Sequence, residues 1–332
     1  MGGRVAWLHF GLVKSTFDAA PGVIGIDTRM TGRAMVTSAY LVQASEPALI
    51  ETGPTTSVDA VTWGLRDLGM QERDLAHILV THIHLDHAGG VGTLAARFPG
   101  ATVWVHERGA PHLADPTKLL ASATRVYGEQ RLRALFGPMD PVPAERLRAI
   151  SEGDKVPLGN RDLEVLYTPG HASHHVSLVD SGSGALWTGD ALGIHLPDVG
   201  VLRPATPPPD IDLDVALASI ERIRERAESV LMFSHYGPVS EVDEMCAIAA
   251  TRWRKWAGIV REALDETDDV ARVAEILRQR TASEFDDAIE PGTGMERYEV
   301  LSGMEMNAAG LLRYWRKREE REQGPRKEQP RR

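Results

Sequence analysis

The stretch Thr81-His-Ile-His-Leu-Asp-His-Ala-Gly-Gly90 places three imidazoles and a carboxylate within the six residues from His82 to His87. His82 and His84 are two apart, so on an extended segment they face the same way. Asp86 and His87 follow at once, on a stretch that ends in glycine. Buried imidazoles need partners, and four such groups packed together would be expensive without a cation. A metal ion supplies that cation. Nitrogen and oxygen donors in this mixture suit zinc best, with iron or manganese as the other choices.

Three later positions add to the set: His171 in Thr168-Pro-Gly-His171, Asp190 in Trp187-Thr-Gly-Asp190, and His235 in Phe233-Ser-His235. Each follows a short apolar run that reads as a strand. Residues at strand ends along one edge of a sandwich can converge, and these seven side chains suffice for two metals sharing one carboxylate. Two cations roughly 3.5–4 Å apart can share a hydroxide, because coordination lowers the pKa of water towards about 7. Such a hydroxide attacks an electrophilic carbonyl or phosphorus. Asp86 could also orient the nucleophile or accept its proton.

The elements that must position these groups can be read from periodicity. Ser38–Gln43 and Ala48–Ile50 flank a turn and read as a hairpin. Thr55 to Leu68 has helical spacing (Val58, Val61, Leu65, Leu68) and stops at Gly69. His77–Val80 is a buried strand that runs into the histidine-rich loop. Val91–Phe98 reads as a helix and Thr102–Val105 as a strand. Residues 107–150 are mixed and mainly helical. Strands return at Leu163–Tyr167, Val176–Val179, Ala185–Trp187 and Val230–Phe233. After the stiff Thr206-Pro-Pro-Pro209 segment, Asp210 is the expected cap of a helix whose first turn holds Asp212 and Asp214. From about Ser240 the pattern is all helical.

Thr-His-x-His-x-Asp-His-x-Gly-Gly, then Pro-Gly-His, then Thr-Gly-Asp, then a late Ser-His resembles the metallo-β-lactamase fold superfamily, with the motifs in family order over about residues 23–237. The resemblance implies an αββα sandwich with the site at one edge of two sheets. It also implies that His82, His84 and His171 hold a first metal, that Asp86, His87 and His235 hold a second, and that Asp190 bridges them. The family often has Asp-Thr-Gly where this chain has Glu51-Thr-Gly53. That acid commonly supports a ligand histidine from behind, and Glu51 is expected to do so over one more methylene.

The expected organisation is an N-terminal segment 1–22, a metallo-β-lactamase-like α/β domain 23–239, a C-terminal helical extension 240–318 and a disordered charged tail 319–332. Methionines and aromatics of the extension, from Met295 to Trp315, read as a lid, a core or a subunit contact. Three residues are candidates for touching substrate. His195 lies on the loop after Asp190, Arg203 precedes the proline run and could meet a carboxylate, and Tyr236 adjoins His235.

The chain has 332 residues, a net charge of −10 and one cysteine, Cys246. An acidic surface repels phosphate backbones and anionic lipid heads, so neither nucleic acid nor a membrane is the expected partner. A single cysteine suits a reducing compartment, and no apolar run is long enough to span a bilayer. The apolar run Val5–Val13 is interrupted by His9 and lacks a small-residue cleavage site, so it is not read as a signal peptide. The expected protein is therefore cytoplasmic, with a small-molecule substrate and with homo-oligomerisation left open. Its expected activity is hydrolysis of a small ester, thioester or lactone by two divalent metal ions, zinc first. The alternatives are a di-iron redox protein of the flavodiiron type without its flavin domain, and a phosphodiesterase.

Overall fold

Alternation along the strands sorts apolar side chains onto opposite faces of each sheet. Tyr40 and Val42 face one way and Ala39 and Leu41 the other. Likewise Trp187 and Ala185 oppose Leu186, and Met232 opposes Leu231 and Phe233. A sheet that is apolar on both faces must be covered on both. The computed structural model, which describes residues 15–285 and 295–323, meets that demand with four layers.

The first half of the chain runs β1 (Thr16–Ala20), β2 (Val23–Asp27), β3 (Ser38–Val42), β4 (Ala48–Ile50), α1 (Val58–Asp67), β5 (His77–Leu79), α2 (Leu85–Ala88), α3 (Val91–Arg97) and β6 (Thr102–His106). Three short helices follow, α4 (Ala110–Ala114), α5 (Thr117–Tyr127) and α6 (Glu129–Phe136), and then β7 (Leu147–Ile150). The seven strands form one sheet in chain order, antiparallel to β4 and parallel from there on.

The second half runs β8 (Lys155–Pro157), β9 (Asp162–Tyr167), β10 (Val176–Asp180), β11 (Ala185–Gly189), β12 (Ile194–Leu196), β13 (Val201–Arg203), α7 (Leu213–Glu225), β14 (Val230–Phe233) and β15 (Gly237–Val239). Its main sheet has the order β15-β14-β11-β10-β9-β8, with β11 and β14 parallel, while β12 and β13 pair apart as a hairpin. Helices α8 (Val242–Leu264), α9 (Val270–Arg280), α10 (Met295–Ser302) and α11 (Met304–Gln323) complete the chain.

Three apolar seams separate the four layers. The outer face of the first sheet packs on α1 and α3 through Val61, Leu65 and Leu94. The two sheets meet over Tyr40, Ile50, Leu178 and Trp187. The outer face of the second packs on α7 and α8 through Ile220, Ile223, Trp253 and Trp256. Burying each of these larger side chains is worth about 1.5–3 kcal/mol. The fold is the αββα sandwich expected, with a C-terminal helical region.

Three expectations change. The first sheet begins before residue 23, because Phe17 packs edge-on to Tyr40 and against Tyr236, and β1 pairs with β2. The C-terminal helix runs on to Gln323, through the first residues of the segment expected to be a disordered tail. Arg318 pairs with Glu322 one turn on, and Glu319 reaches Arg261 of α8 at 3.5 Å. Residues 324–332, like 1–14, lie outside the described residues. The cap of α7 is Asp212, which accepts from the Val215 N–H at 3.3 Å, while Asp210 accepts from the Ser173 hydroxyl. In the extension, read as a lid, a core or a subunit contact, Tyr298 and Leu301 join the seam of the first sheet, and Met304 and Leu311 that of the second.

Candidate metal centre

Strand ends deliver the site. His82 and His84 follow β5, and the single turn of α2 carries Asp86 and His87. His171 lies between β9 and β10, Asp190 just past β11 and His235 just past β14. Two glycines make the approach possible. At Gly189, with φ +49°, a Cβ would lie 2.4 Å from His175 Nε2 and 2.7 Å from Thr81 Oγ1. At Gly170, with φ +128°, it would strike the Ala216 backbone at 2.3 Å. The Thr-Gly-Asp and Pro-Gly-His glycines therefore serve close packing behind the site.

All seven side chains meet there. His84 Nδ1 lies 3.0 Å from His82 Nε2 and 2.9 Å from His171 Nε2. Beside this trio, His87 Nε2 and His235 Nε2 are 3.2 Å apart, and each is 3.5 Å from Asp86 Oδ2. Asp190 spans the two groups. Its Oδ1 is 3.3 Å from His87 Nε2 and 3.4 Å from His235 Nε2, and its Oδ2 is 3.5 Å from His171 Nε2.

The far side of each ring fixes its orientation. His171 Nδ1–H donates to the Ala205 carbonyl at 2.8 Å, and His235 Nδ1–H to the Val36 carbonyl at 3.1 Å. His82 Nδ1–H donates to Thr81 Oγ1, whose hydroxyl in turn donates to Glu51 Oε1 at 2.6 Å. His87 Nδ1 faces Glu51 Oε2 at 3.4 Å. With their protons committed outward, His82 and His171 turn bare inward nitrogens to His84 Nδ1 at about hydrogen-bond distance. Asp190 Oδ1 is buried with no hydrogen-bond partner among the described residues. Facing nitrogens beside an orphaned carboxylate oxygen are what a cation would satisfy, and these nitrogen and oxygen donors fit divalent metal.

The electrostatics divide along the same line. Burial pulls His82, His84 and His171 below the usual imidazole range, and neighbouring imidazoles deepen this for His82 and His84. Burial opposes charge on His235 too, but Asp190 and Asp86 override it and push that ring up to about 9. His87 is raised in the same way. Burial would raise Asp86, yet His87 and His235 hold it down at about 2. The His87–His235 end thus demands positive charge.

Glu51 stands behind both His82 and His87. It adopts φ +65° and also accepts from the Ser234 hydroxyl. Removing its charge in Glu51→Gln is expected to weaken metal retention about 10–100-fold. Competition against a graded chelator measures this, and unchanged retention would show that Glu51 does not tune the ligands.

The three residues expected to reach substrate do not line the cavity over the site. His195 lies in β12, with its backbone bonded to His235 and Tyr236 and its ring on Phe233. Tyr236 is buried against Phe17. Arg203 is fully buried, because its guanidinium is drawn between the faces of Trp256 at 5.4 Å and Tyr298 at 5.1 Å, with Glu299 at 3.6 Å. It ties β13 to α8 and α10. Arg203→Met is expected to leave KM unchanged and to cost about 1–3 kcal/mol in denaturant unfolding through the lost ring contacts. A raised KM at intact stability would restore the substrate role.

Two further histidines, His112 and His174, line the cavity. His174 lies nearly parallel to His82, and burial lowers it to about 3, so it stays neutral. Its closeness to His171 was the available signal. His175 packs behind, accepting from the Asp190 N–H at 3.0 Å. Cys246 is buried, as expected of a small apolar residue.

Residues 32–235 match the family model of the metallo-β-lactamase superfamily. The chain belongs to that superfamily. The metallo-beta-lactamase fold-containing protein ST1585 of Sulfurisphaera tokodaii is 32% identical over 192 residues, which are 56% of this chain and 70% of that one. A hydroxyacylglutathione hydrolase of Bradyrhizobium sp. (strain ORS 278) is 33% identical over 155 residues, but this chain spans only 47% of its length. The crystal structure of the metallo-beta-lactamase family protein TTHA1429 from Thermus thermophilus superposes with a TM-score of 0.63 at 21% identity, covering 90% of this chain and 94% of that one. Members of the metallo-β-lactamase superfamily are generally metal-dependent hydrolases, and this chain has His/Asp groups that could hold a metal ion. No helix among the described residues is long and apolar enough to cross a membrane.

Proposed function

We propose that this metallo-β-lactamase superfamily protein is a dinuclear metal-dependent hydrolase acting on a small ester, thioester or lactone. The observation that carries the reading is the arrangement of five inward-facing imidazoles and two carboxylates, with Asp190 reaching both groups. His82, His84 and His171 would hold one ion, Asp86, His87 and His235 the other, and Asp190 both. When bound, two divalent cations, zinc in this proposal, supply Lewis acidity that acidifies water and stabilises the developing oxyanion.

The chain's own residues do the rest. Asp86 is the partly exposed carboxylate of the set and lines the cavity. Held near pKa 2, it stays anionic at neutral pH and orients the attacking water by accepting its hydrogen bond. The outer hydrogen bonds of His82, His171 and His235, and the Glu51 carboxylate facing His87 Nδ1, keep these donor nitrogens turned inward. The cavity above, of about 450 Å³, lies within the range of small-molecule sites and favours a small substrate.

Elemental analysis of protein purified without added metal tests this, together with a panel of esters, thioesters and lactones. About two zinc ions per chain and turnover on the panel are expected. About two irons with oxygen or nitric oxide reactivity would replace the proposal with a redox protein. No metal after reconstitution would overturn it.

A further inference from the structure

The cavity over the site has two unlike walls. Helix α5 has an apolar face that is only half-buried, with Leu119, Leu120, Ala123 and Tyr127 resting in part on the core of the first sheet. Leu119, Ala123 and Tyr127 of that face turn towards the cavity, and Val126 beside them is 46% exposed. Leu301 of α10 and Met306 of α11 stand opposite, and the Tyr127 hydroxyl reaches Met306 Sδ at 3.7 Å, where the two walls touch. The floor is His84, Asp86, His171 and Asp190. A helix that turns its apolar face to an open cleft leaves surface that an apolar group would cover.

The other wall is cationic. Arg108 is held by two neutral oxygens, the Tyr167 hydroxyl at 3.0 Å and the Ser173 carbonyl at 3.3 Å, two residues beyond His171. Lys118 stands at the start of α5. Neither has a carboxylate within 4 Å among the described residues, whereas Arg97, Arg161 and Arg226 each pair with an acid. Of the acids on this side, Asp210 accepts from the Ser173 hydroxyl at 2.7 Å, and Asp115 accepts from the Thr117 hydroxyl at 2.6 Å, a bond that lowers its carboxyl with help from Lys118. What sets this place apart is that two such cations stand together at the mouth of the cavity, on a chain of net charge −10. The pair attracts an anion, and arginine suits a planar one.

We propose that the cavity selects a substrate carrying both an apolar acyl chain and an anionic group. The chain lies between α5 and the Leu301–Met306 wall, and the anion meets Arg108 and Lys118. This rests on the hydrolase reading and names the substrate class of the same site. Because the charge lies at a solvent-open mouth, its contribution falls with salt, whereas the contribution of the apolar wall does not.

Calorimetric binding of matched probes to the metal-loaded protein tests the proposal without requiring turnover. Octanesulfonate is expected to bind about tenfold tighter than 1-octanol, and about tenfold tighter than butanesulfonate. High salt and the double variant Arg108→Gln/Lys118→Gln remove the first difference, and Leu119→Asn reduces the second. Metal content and far-ultraviolet circular dichroism show whether the variants fold, and the salt series on the unaltered protein carries the test if they do not. Equal binding of sulfonate and alcohol overturns the proposal. So does an anion preference that survives the double variant, since the anion would then sit on the metals. Failure of the two readings is distinguishable. Probe binding without turnover of any octanoate ester sinks the hydrolase and leaves the ligand class. Turnover indifferent to chain length and charge sinks the ligand class and leaves the hydrolase.

Discussion

Asp190→Asn is expected to lower metal content from about two ions per chain to about one or fewer, and to reduce kcat/KM by at least about 100-fold. The substitution keeps the shape of the side chain and removes its charge. That charge serves both halves of the centre. Oδ1 lies between His87 and His235, and Oδ2 beside His171. Among the described residues no other carboxylate touches both groups, since Asp86 reaches only His87 and His235. Elemental analysis and steady-state kinetics on the same preparation check the result. Wild-type metal content in the variant would show that Asp190 is not shared.

The second large effect is a pair of glycine-to-alanine substitutions with opposite signs. Glycine within a helix normally costs about 0.5–1 kcal/mol relative to alanine. Gly258 lies inside α8, and a Cβ there meets nothing within 4 Å. Gly258→Ala is therefore expected to stabilise by about 0.5–1 kcal/mol. Gly310 lies inside α11, where a Cβ would stand 1.8 Å from the Thr206 carbonyl oxygen and 3.0 Å from the Pro207 carbonyl carbon. These are backbone atoms that cannot rotate away. Gly310→Ala is expected to destabilise by about 1–3 kcal/mol despite its better helix propensity. Denaturant midpoints measure both, and stabilisation by Gly310→Ala would show that α11 does not press on this segment.

The Gly310 contact has a companion. Asn307 is buried, and its Oδ1 accepts from the Thr206 N–H and hydroxyl, each at 2.7 Å. Thr206 follows Ala205, whose carbonyl takes the His171 Nδ1 proton. A shifted α11 would therefore disturb one end of the His82, His84 and His171 group as well as overall stability.

Much of this was legible from local spacing. The histidine motif and the three later motifs each occupy a few consecutive residues, and each ligand candidate follows an apolar run whose strand character was plain. The four-layer arrangement follows from strands that are apolar on both faces. What local pattern does not encode is where a long side chain goes. Arg203 precedes the proline run that borders the cavity, yet its guanidinium turns to Trp256, Tyr298 and Glu299, residues 53 to 96 positions further on. The cavity walls escaped for the same reason, since α5 and α11 meet only through the tertiary fold. Strands β12 and β15 are three residues each with His195 and Pro238 at their centres, so neither reads as an apolar run. Strand β1 reads Thr-Phe-Asp-Ala-Ala, which alternates weakly, and it is held in place through its aromatic contacts.

The division between strand ends that hold the ligands and a helical end that walls the cavity has an evolutionary consequence. Residues that shape the mouth and the apolar wall, Arg108, Lys118, Leu119, Leu301 and Met306, lie on segments distinct from the strand ends that carry the ligands. Substitution there would alter which molecules enter while leaving the hydrolytic apparatus intact. A change of substrate would thus require no change in the ligand set. Loss of the last helix would be tolerated poorly, because it braces the carbonyl on which His171 depends.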